Sequence, residues 1–210
     1  MIRRPPRSTQ SRSSAASDVY KRQGSNPPPL ISKMRLIDEK FFERKSEIVA
    51  KELLGKIILR KIKNKNFLMK IVETEAYYGN RDPASRAFKK TKMSEPMYEK
   101  AGTFFVYNVH KYWMFNIVTE KEGKAGAVLI RALEPLNFKA DLSGPGKLTK
   151  FLKISKELNK KHISEVKDIL FLFPNEEEKI KIVSTNRIGV SKDLKKKLRF
   201  YIKGNKFVSK

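Results

Sequence analysis

A short run, residues 71–77 (IVETEAY), ends a predicted strand in two carboxylates and a tyrosine. The side chains of a strand alternate between its two faces, so Glu73, Glu75 and Tyr77 share one face, opposite Val72. If Val72 faces the core, the two acids face outward together, and neighbouring carboxylates raise each other's pKa. That arrangement suits general acid–base catalysis. An ordinary solvated strand face explains the same spacing.

The charge of the chain indicates a polyanionic partner. Its 210 residues include 47 Lys and Arg against 22 Asp and Glu, which gives a net charge of +25 and a pI of about 10.1. Such a surface attracts phosphate backbones, although a composition rich in Lys, Ile and Asn is also typical of an A·T-rich genome. Because aromatic residues accompany the charge, we expect a nucleic-acid partner.

Several absences narrow the class of protein. The sequence has no apolar run of the ~18 residues that a transmembrane helix needs, so we expect no membrane span. It has no cysteine, which excludes disulfides and thiolate metal sites and fits a reducing cytosol. Its two histidines, His110 and His162, are far apart in sequence, so we expect no histidine-based metal site.

Residues 1–33 differ in composition from the rest of the chain. They are rich in Pro and Ser, carry seven basic residues and one acidic residue, and lack the apolar stretch of a secretory signal. The stretches 2–8 and 13–23 resemble a translated sequencing adapter, in which case the natural start is Met34. We expect a disordered, non-native tail and one domain over residues 34–210. That domain keeps 40 basic and 21 acidic side chains, a net charge of +19.

From Met34 onward the pattern predicts an α+β fold, because helices and strands mix without a βαβ rhythm. Helices are predicted over 38–54, after Gly144, and near 162–170. Strands are predicted over 56–62, 67–75, 104–109, 113–118, 127–133 and 180–183, with a closing hairpin over 198–202 and 206–208. Residues 79–101 are polar and irregular, and residues 176–178 form an acidic solvated loop.

Arg131 lies in the middle of an apolar strand, so it must be paired or line a cleft. Glu75 and Glu134 are the candidate partners, and a solvated strand face is the alternative.

Tyrosines between residues 77 and 112 can offer a ring face and a hydroxyl to one pocket. The phenylalanines of that region belong in the core: Phe104, Phe105 and Phe115. Residues 144–147 (GPGK), ahead of a helix, form either a phosphate-binding turn or an ordinary loop.

Several motifs occur together and in a fixed order along the chain. They are residues 73–77 (ETEAY), 82–85 (DPAS), 102–107 (GTFFVY), 116–119 (NIVT), 129–135 (LIRALEP), 144–148 (GPGKL) and 198–200 (LRF) with Gly204-Asn205. Over residues 35–210 this set resembles the alkyladenine (3-methyladenine) DNA glycosylase family. The segment before Met34 lies outside the resemblance.

The resemblance implies a single α+β domain with a curved, mostly antiparallel sheet, surrounding helices and a protruding hairpin that intercalates into DNA. It implies an enzyme of base-excision repair that flips a damaged purine out of duplex DNA and hydrolyses its N-glycosidic bond, leaving an abasic site. It implies no metal and no cofactor. We expect duplex DNA as the partner, no membrane contact, a monomer, and a cytoplasmic, nucleoid-associated protein of bacterial origin.

The resemblance also implies roles for individual residues. Glu75 matches the general base that activates water, and Arg131 matches a basic residue that helps to hold the catalytic site. Tyr77 and Tyr107 match the aromatic residues that sandwich the flipped base. Asn116 matches a pocket residue that screens purine substituents.

The chain departs from the family pattern in two places. Arg86 stands where relatives have His at the base pocket, which puts the range of lesions in question. The hairpin segment 109–113 is one residue shorter than usual, so His110 or Tyr112 is the candidate wedge that fills the hole left by the flipped base. Register from Tyr107 favours His110. These departures keep a second hypothesis open, a non-catalytic basic nucleic-acid-binding domain on the same scaffold. An RNA-associated basic protein is a weaker third.

Overall fold

The computed structural model describes residues 34–209. The helices are α1 (Glu39–Phe42), α2 (Ser46–Glu52) and α3 (Pro145–Leu152). The strands are β1 (Ile57–Ile62), β2 (Lys65–Tyr77), β3 (Phe104–Val109), β4 (Tyr112–Val118), β5 (Ala127–Pro135), β6 (Ile169–Leu172), β7 (Ile182–Thr185) and β8 (Arg199–Ile202). Short 3-10 turns cover Arg86–Phe88, Lys92–Tyr98 and Lys156–Leu158. The predicted tail over residues 1–33 lies outside the described residues.

Strand β2 is the centre of the sheet. It pairs with β5 along one edge, and along the other edge first with β1 and then with β8. The order across the sheet is β3-β4-β5-β2-β1-β6, with β7 joined through β8, and each of these pairs is antiparallel. Register shifts against β5 flank Glu73, and such irregularities bend and twist a strand. The acidic end of β2 therefore lies where the sheet curls and changes partner.

The two faces of the sheet bury different sets of side chains. One cross-strand row belongs to the main core and consists of Ala76, Val128, Ile117 and Phe104. The adjacent row, on the opposite face, consists of Glu75, Leu129, Asn116 and Phe105. The second face therefore presents polar groups in a layer that is otherwise apolar.

The segment predicted to be polar and irregular covers this second face. Ala87 and Met97, from its two 3-10 turns, pack with Phe105 in a separate apolar cluster. Glu73 and Glu75 are each 0% exposed, since the Ile188 backbone lies against Glu75 and Arg199 and Ser209 lie against Glu73. The prediction that the two acids face outward is wrong, because alternation within one strand cannot reveal that distant C-terminal segments pack against it.

Most of the predicted strands are confirmed, and so is the helix after Gly144, which is α3. The acidic loop at 176–178 is exposed, as predicted. The predicted helix over 38–54 is instead two helices, α1 and α2. The Arg44 side chain donates to the carbonyl of Phe41 at 2.9 Å and bonds to Glu52, so it holds a bend between them.

Two C-terminal predictions are wrong. The segment near 162–170 is not helical, since Ile169–Leu172 forms β6 on the edge of β1. Ile163 and Val166 still face the core, which explains the helix-like spacing. The closing hairpin is also absent from the described residues, because β8 pairs with β2 and β7 rather than with 206–208. The strand predicted at 180–183 is β7, which begins two residues later.

Candidate active site

The Glu75 carboxylate is buried at the end of β2 and held by three donors. Its Oε2 accepts a hydrogen bond from the Tyr77 hydroxyl at 2.8 Å and one from Arg131 Nη1 at 3.3 Å. Its Oε1 accepts the backbone N–H of Ile188 at 2.9 Å. Three donors from three different parts of the chain fix the orientation of the carboxylate.

The environment of Glu75 favours its protonated form. Burial raises the pKa of Glu75 above its ordinary value, and this outweighs the lowering by the Arg131 cation and by the hydrogen bonds from Ile188 and Tyr77. The neighbouring Glu73 adds a smaller rise. A carboxylic acid whose pKa moves toward neutrality is suited to exchange protons with a substrate or water.

Arg131 is paired with both acids, and not with Glu134. Its Nη1 lies 3.3 Å from Glu75 and its Nε lies 3.3 Å from Glu73, although Nε makes no well-directed hydrogen bond. Glu134 lies 3.9 Å from Lys70 and accepts from Asn205 instead. Of the alternatives that the sequence left open for Arg131, the structure shows pairing, and Glu75 is one of the two partners that the sequence offered.

Glu73 is tied into the C-terminal end of the chain. It accepts from Arg199 Nε at 2.6 Å, from the Ser209 N–H at 2.7 Å and from the Ser209 hydroxyl at 2.9 Å. With Arg131 also alongside, both oxygens of Glu73 are engaged. Glu73 therefore anchors the C-terminal end of the chain to β2, whereas Glu75 lies beside the Tyr77 hydroxyl.

Tyr77 and Tyr107 converge near Glu75. Both rings pack on the same apolar cluster as Phe105, and the Phe105 and Tyr107 rings lie 4.8 Å apart. Burial raises the pKa of the Tyr77 hydroxyl far above its ordinary value, and the negative charge of Glu75 adds to the rise. Burial raises the pKa of the Tyr107 hydroxyl as well, so both phenols stay protonated near neutral pH and Tyr77 remains a donor to Glu75. Phe104 and Phe115 lie in the main core, as predicted.

Arg187, which the sequence reading missed, lies beneath Tyr77. Its guanidinium is 4.6 Å from the centre of the Tyr77 ring. It binds Asp82 through two hydrogen bonds of 2.7 Å and Asp193 through bonds of 3.0 and 2.6 Å. A further bond of 2.9 Å reaches the Ala76 carbonyl. This network fixes the loop at 79–85 and the loop that carries Ile188 against the end of β2.

Asn116 and Arg86 flank the same face of the sheet. The buried Asn116 amide donates to the Phe105 carbonyl at 3.0 Å, so its side chain is fixed in the row that starts at Glu75. Arg86 is exposed at the start of a 3-10 turn, and its guanidinium lies 4.9 Å from the centre of the Tyr107 ring. The structure thus brings both residues to the neighbourhood that the sequence predicts.

The hairpin of β3 and β4 ends in a two-residue turn, His110-Lys111. His110 is exposed and has a left-handed φ of +53°. Tyr112 is 46% exposed, but its ring lies against α3, where a Cβ on Gly146 would come within 2.6 Å of it. His110 therefore stands free at the tip, whereas Tyr112 supports the hairpin on the helix.

Other sites are less suited to chemistry. Lys147, in the GPGK motif, binds Asp141 at 2.7 Å, and the motif forms the start of α3, where the N-cap Gly144 makes no side-chain capping hydrogen bond. A surface cleft of about 1000 Å³ lies beside Tyr78, but Glu75 does not line it. Among residues 34–209, no cluster of three or more His, Asp or Glu could hold a metal ion. Within the same range, no helix is long and apolar enough to cross a membrane.

Fold and site together define a class of protein. A buried carboxylate with a raised pKa stands beside two tyrosine rings on an α+β domain of net charge +19. Such a site combines a proton acceptor with flat ring faces that can hold a heterocycle. These are the features of an enzyme that acts on a nucleic-acid base.

Comparison with known proteins agrees with this class. The model of the methylpurine-DNA glycosylase (MPG) family matches residues 40–206. A protein of Aeropyrum pernix is 40% identical over 182 residues, covering 84% of this chain and 94% of its own. Proteins of Clostridium beijerinckii and Legionella pneumophila are 37% and 40% identical, covering 83% and 84% of this chain and 99% and 100% of their own. All three are provisionally named 3-methyladenine DNA glycosylases.

The chain belongs to the methylpurine-DNA glycosylase family. The family and the class of enzyme that the sequence motifs predict, a DNA glycosylase and hence a hydrolase of base-excision repair, are thereby confirmed. The curved antiparallel sheet of the predicted α+β fold is confirmed as well. The roles of individual residues remain predictions.

Proposed function

We propose that this protein excises 3-methyladenine-like purines from duplex DNA by hydrolysing the N-glycosidic bond, with Glu75 as the base that activates water. The observation that carries this proposal is the Glu75 carboxylate, which is 0% exposed, fixed by three donors and raised in pKa. Membership of the family supports the type of reaction, and the names of the relatives support the class of lesion.

The hydrogen bonds of Glu75 divide its two oxygens between two tasks. Arg131 and Tyr77 hold Oε2, which fixes the plane of the carboxylate. Among the described residues Oε1 accepts only the Ile188 N–H, and a carboxylate oxygen can accept two hydrogen bonds. Oε1 can therefore orient a water molecule and take its proton as the oxygen attacks C1′ of the sugar.

The departing base takes the electron pair of the glycosidic bond, and the sugar becomes oxocarbenium-like. The negative charge of Glu75 stabilises that developing positive charge. A purine alkylated at N3 or N7 is already cationic and is a good leaving group. Ring faces such as those of Tyr77 and Tyr107 attract such a base by roughly 0.5–2 kcal/mol per contact, which helps to offset the few kcal/mol that flipping costs.

Asn116 is proposed to screen the substituents of the flipped purine. Its amide is fixed by the Phe105 carbonyl at 3.0 Å, so it cannot turn freely to suit each base. A fixed donor or acceptor rejects a base that leaves it unpaired. Replacement of Asn116 by Ala should broaden the set of excised purines, and an unchanged set would argue against this role.

His110 is proposed to fill the space that the flipped nucleotide leaves in the duplex. It is exposed at the tip of the hairpin, whereas Tyr112 rests on Gly146. His110→Ala should weaken binding to lesion DNA more than Lys111→Ala does, measured by fluorescence anisotropy. Equal losses would indicate only a loss of general contact with DNA.

DNA is the partner that the family implies. Action as a monomer in the cytoplasm of a bacterium, at the nucleoid, is a finer proposal that rests on the basic charge and the lack of cysteine. Sedimentation of the purified protein with and without a short duplex would test the monomer, and a stable dimer would contradict it.

Base release from a panel of lesions tests the proposed function. Duplexes carrying hypoxanthine or ethenoadenine, and a duplex treated with dimethyl sulfate, would be incubated with the protein at two salt concentrations. We expect at least one free base by chromatography, and weaker binding at higher salt because phosphate contacts release counterions. Equal binding to damaged and undamaged DNA without base release would favour the non-catalytic binding domain and contradict the proposal.

A further inference from the structure

Arg86 carries a permanent charge at the edge of the proposed base pocket. Its guanidinium lies 4.9 Å from the centre of the Tyr107 ring. Within residues 34–209 no carboxylate lies within ion-pair distance of it. The turn beneath Arg86 is fixed independently of its side chain, because the Ser85 hydroxyl accepts the Ala87 N–H at 3.1 Å.

The arginines beside the two tyrosines of the pocket differ in whether a carboxylate pairs with them. Arg187 lies 4.6 Å from the Tyr77 ring, but Asp82 and Asp193 bind it and neutralise its charge. Arg86 lies over Tyr107 without such a partner. The side of the pocket formed by Tyr107 therefore has a net positive charge that the side formed by Tyr77 lacks.

An uncompensated cation has opposite effects on two classes of lesion. A purine methylated at N3 or N7 carries a positive charge, so it is repelled by Arg86 and competes with it for the electron-rich face of Tyr107. Hypoxanthine and ethenoadenine are neutral. As their glycosidic bond breaks, negative charge develops on the departing base, and a nearby guanidinium with several N–H donors stabilises that charge.

We propose that Arg86 is a specificity-determining residue that shifts the enzyme away from cationic lesions and toward neutral ones. The inference rests on the proposed function, since it requires the flipped base to stack beside Tyr107. It adds a substrate preference that follows from the charge of Arg86.

The test is the ratio of single-turnover rate constants for two lesions, one neutral and one cationic. Hypoxanthine in a defined duplex supplies the neutral lesion, and 7-methylguanine released from methylated duplex DNA supplies the cationic one. The variants are Arg86→Gln, which removes the charge, and Arg86→Lys, which keeps it. Arg81→Gln is the matched control, because Arg81 is an exposed arginine in the adjoining loop.

For Arg86→Gln we expect the ratio of neutral to cationic excision to fall by about tenfold, which corresponds to about 1.4 kcal/mol. Arg86→Lys should stay within about threefold of the unmodified protein, and Arg81→Gln should leave the ratio unchanged. An unchanged ratio in Arg86→Gln, or an equal fall in Arg86→Lys or Arg81→Gln, would overturn the inference. If the unmodified protein releases no free base from any duplex of the lesion panel, the proposed function itself fails, which is a distinguishable result.

Discussion

Glu73 and Glu75 are two residues apart on one strand and equally buried, yet their surroundings suit them to different tasks. Glu73 accepts hydrogen bonds from Arg199 and Ser209 and lies beside Arg131. Glu75 also has three donors, but one of them is the hydroxyl of Tyr77, whose ring lies in the proposed base pocket. Burial and the number of hydrogen bonds are alike for the two acids, so the partners of each carboxylate are what suit Glu75, rather than Glu73, to a place in the proposed base pocket.

Tyr77→Phe should move the acid limb of the pH–rate profile to higher pH. Excision needs the ionised form of Glu75, so the rate falls as the pH drops through the raised pKa of this group. The Tyr77 hydroxyl donates to the ionised form and lowers that pKa, so its removal raises the pKa further while the ring remains for stacking. The measurement is the single-turnover rate from pH 4.5 to 8. A limb that stays in place or moves to lower pH would contradict the assignment of Glu75.

Glu73→Gln should destabilise the protein strongly. The variant leaves the half-buried Arg199 without its carboxylate and the buried Arg131 with Glu75 alone, and breaking a buried pair from one side costs roughly 3–5 kcal/mol. Urea unfolding measures the change. Glu178→Gln is the control, because Glu178 binds Lys70 at 2.8 Å but is 67% exposed in its side chain, and exposed pairs contribute about 0–1 kcal/mol. Equal losses in the two variants would show that Glu73 is not an anchor.

At the scale of elements, the hairpin of β3 and β4 is supported by α3. Thr149 of α3 donates to the Trp113 carbonyl at 3.0 Å, and the Tyr112 ring lies on Gly146. A side chain at Gly146 would meet the ring at 2.6 Å, closer than real Cβ contacts. The position of the hairpin tip therefore depends on a glycine in a neighbouring helix.

Gly146→Ala should lower the free energy of unfolding by about 1–3 kcal/mol through this clash and weaken DNA binding by displacing the hairpin. Tyr112→Ala removes the ring that clashes, so Gly146→Ala should cost much less in that background. A double-mutant cycle of urea unfolding measures the coupling. Additive losses would mean that the ring and the helix do not depend on each other.

The sequence predicts some helices and strands correctly and others wrongly, and the difference has a physical cause. Strands such as β3 and β5 could be predicted because apolar runs and turn residues are local signals. The segment that leads into β6 has core-facing residues at helical spacing, Ile163 and Val166, but pairing of 169–172 with β1 overrides that local pattern. Boundaries set by such distant partners cannot be read from a single window of sequence.

The same difference between local sequence signals and distant partners determines which residues of the candidate site could be predicted. The ordered family motifs predict that Glu75, Tyr77 and Arg131 lie in one site. In the structure Glu75 and Tyr77 lie on β2, and Arg131 lies on the adjacent β5. Arg187 was missed because its partner Asp82 is 105 residues away, and nothing local to Arg187 indicates burial. A lone arginine in a basic chain has no distinctive sequence signal.

At the scale of the molecule, a strongly basic domain encloses a buried pair of acids. The domain carries a net charge of +19, while Glu73 and Glu75 are enclosed with arginines in its interior. The exterior charge accounts for attraction to any DNA, and it cannot by itself account for chemistry on a base. Binding and catalysis should therefore be separable by a single substitution.

Glu75→Gln should abolish catalysis while DNA binding remains, and it tests the role of Glu75 most directly. The measurement is single-turnover release of base from methylated duplex DNA, beside affinity for the same duplex. We expect release to fall by at least 10²–10⁴-fold, since a positioned base contributes about that much, with affinity within about threefold of the unmodified protein. Glu134→Gln, on the neighbouring β5, is the matched control and should retain release. Release by Glu75→Gln within about tenfold of the unmodified protein would contradict the assignment of Glu75 as the water-activating base.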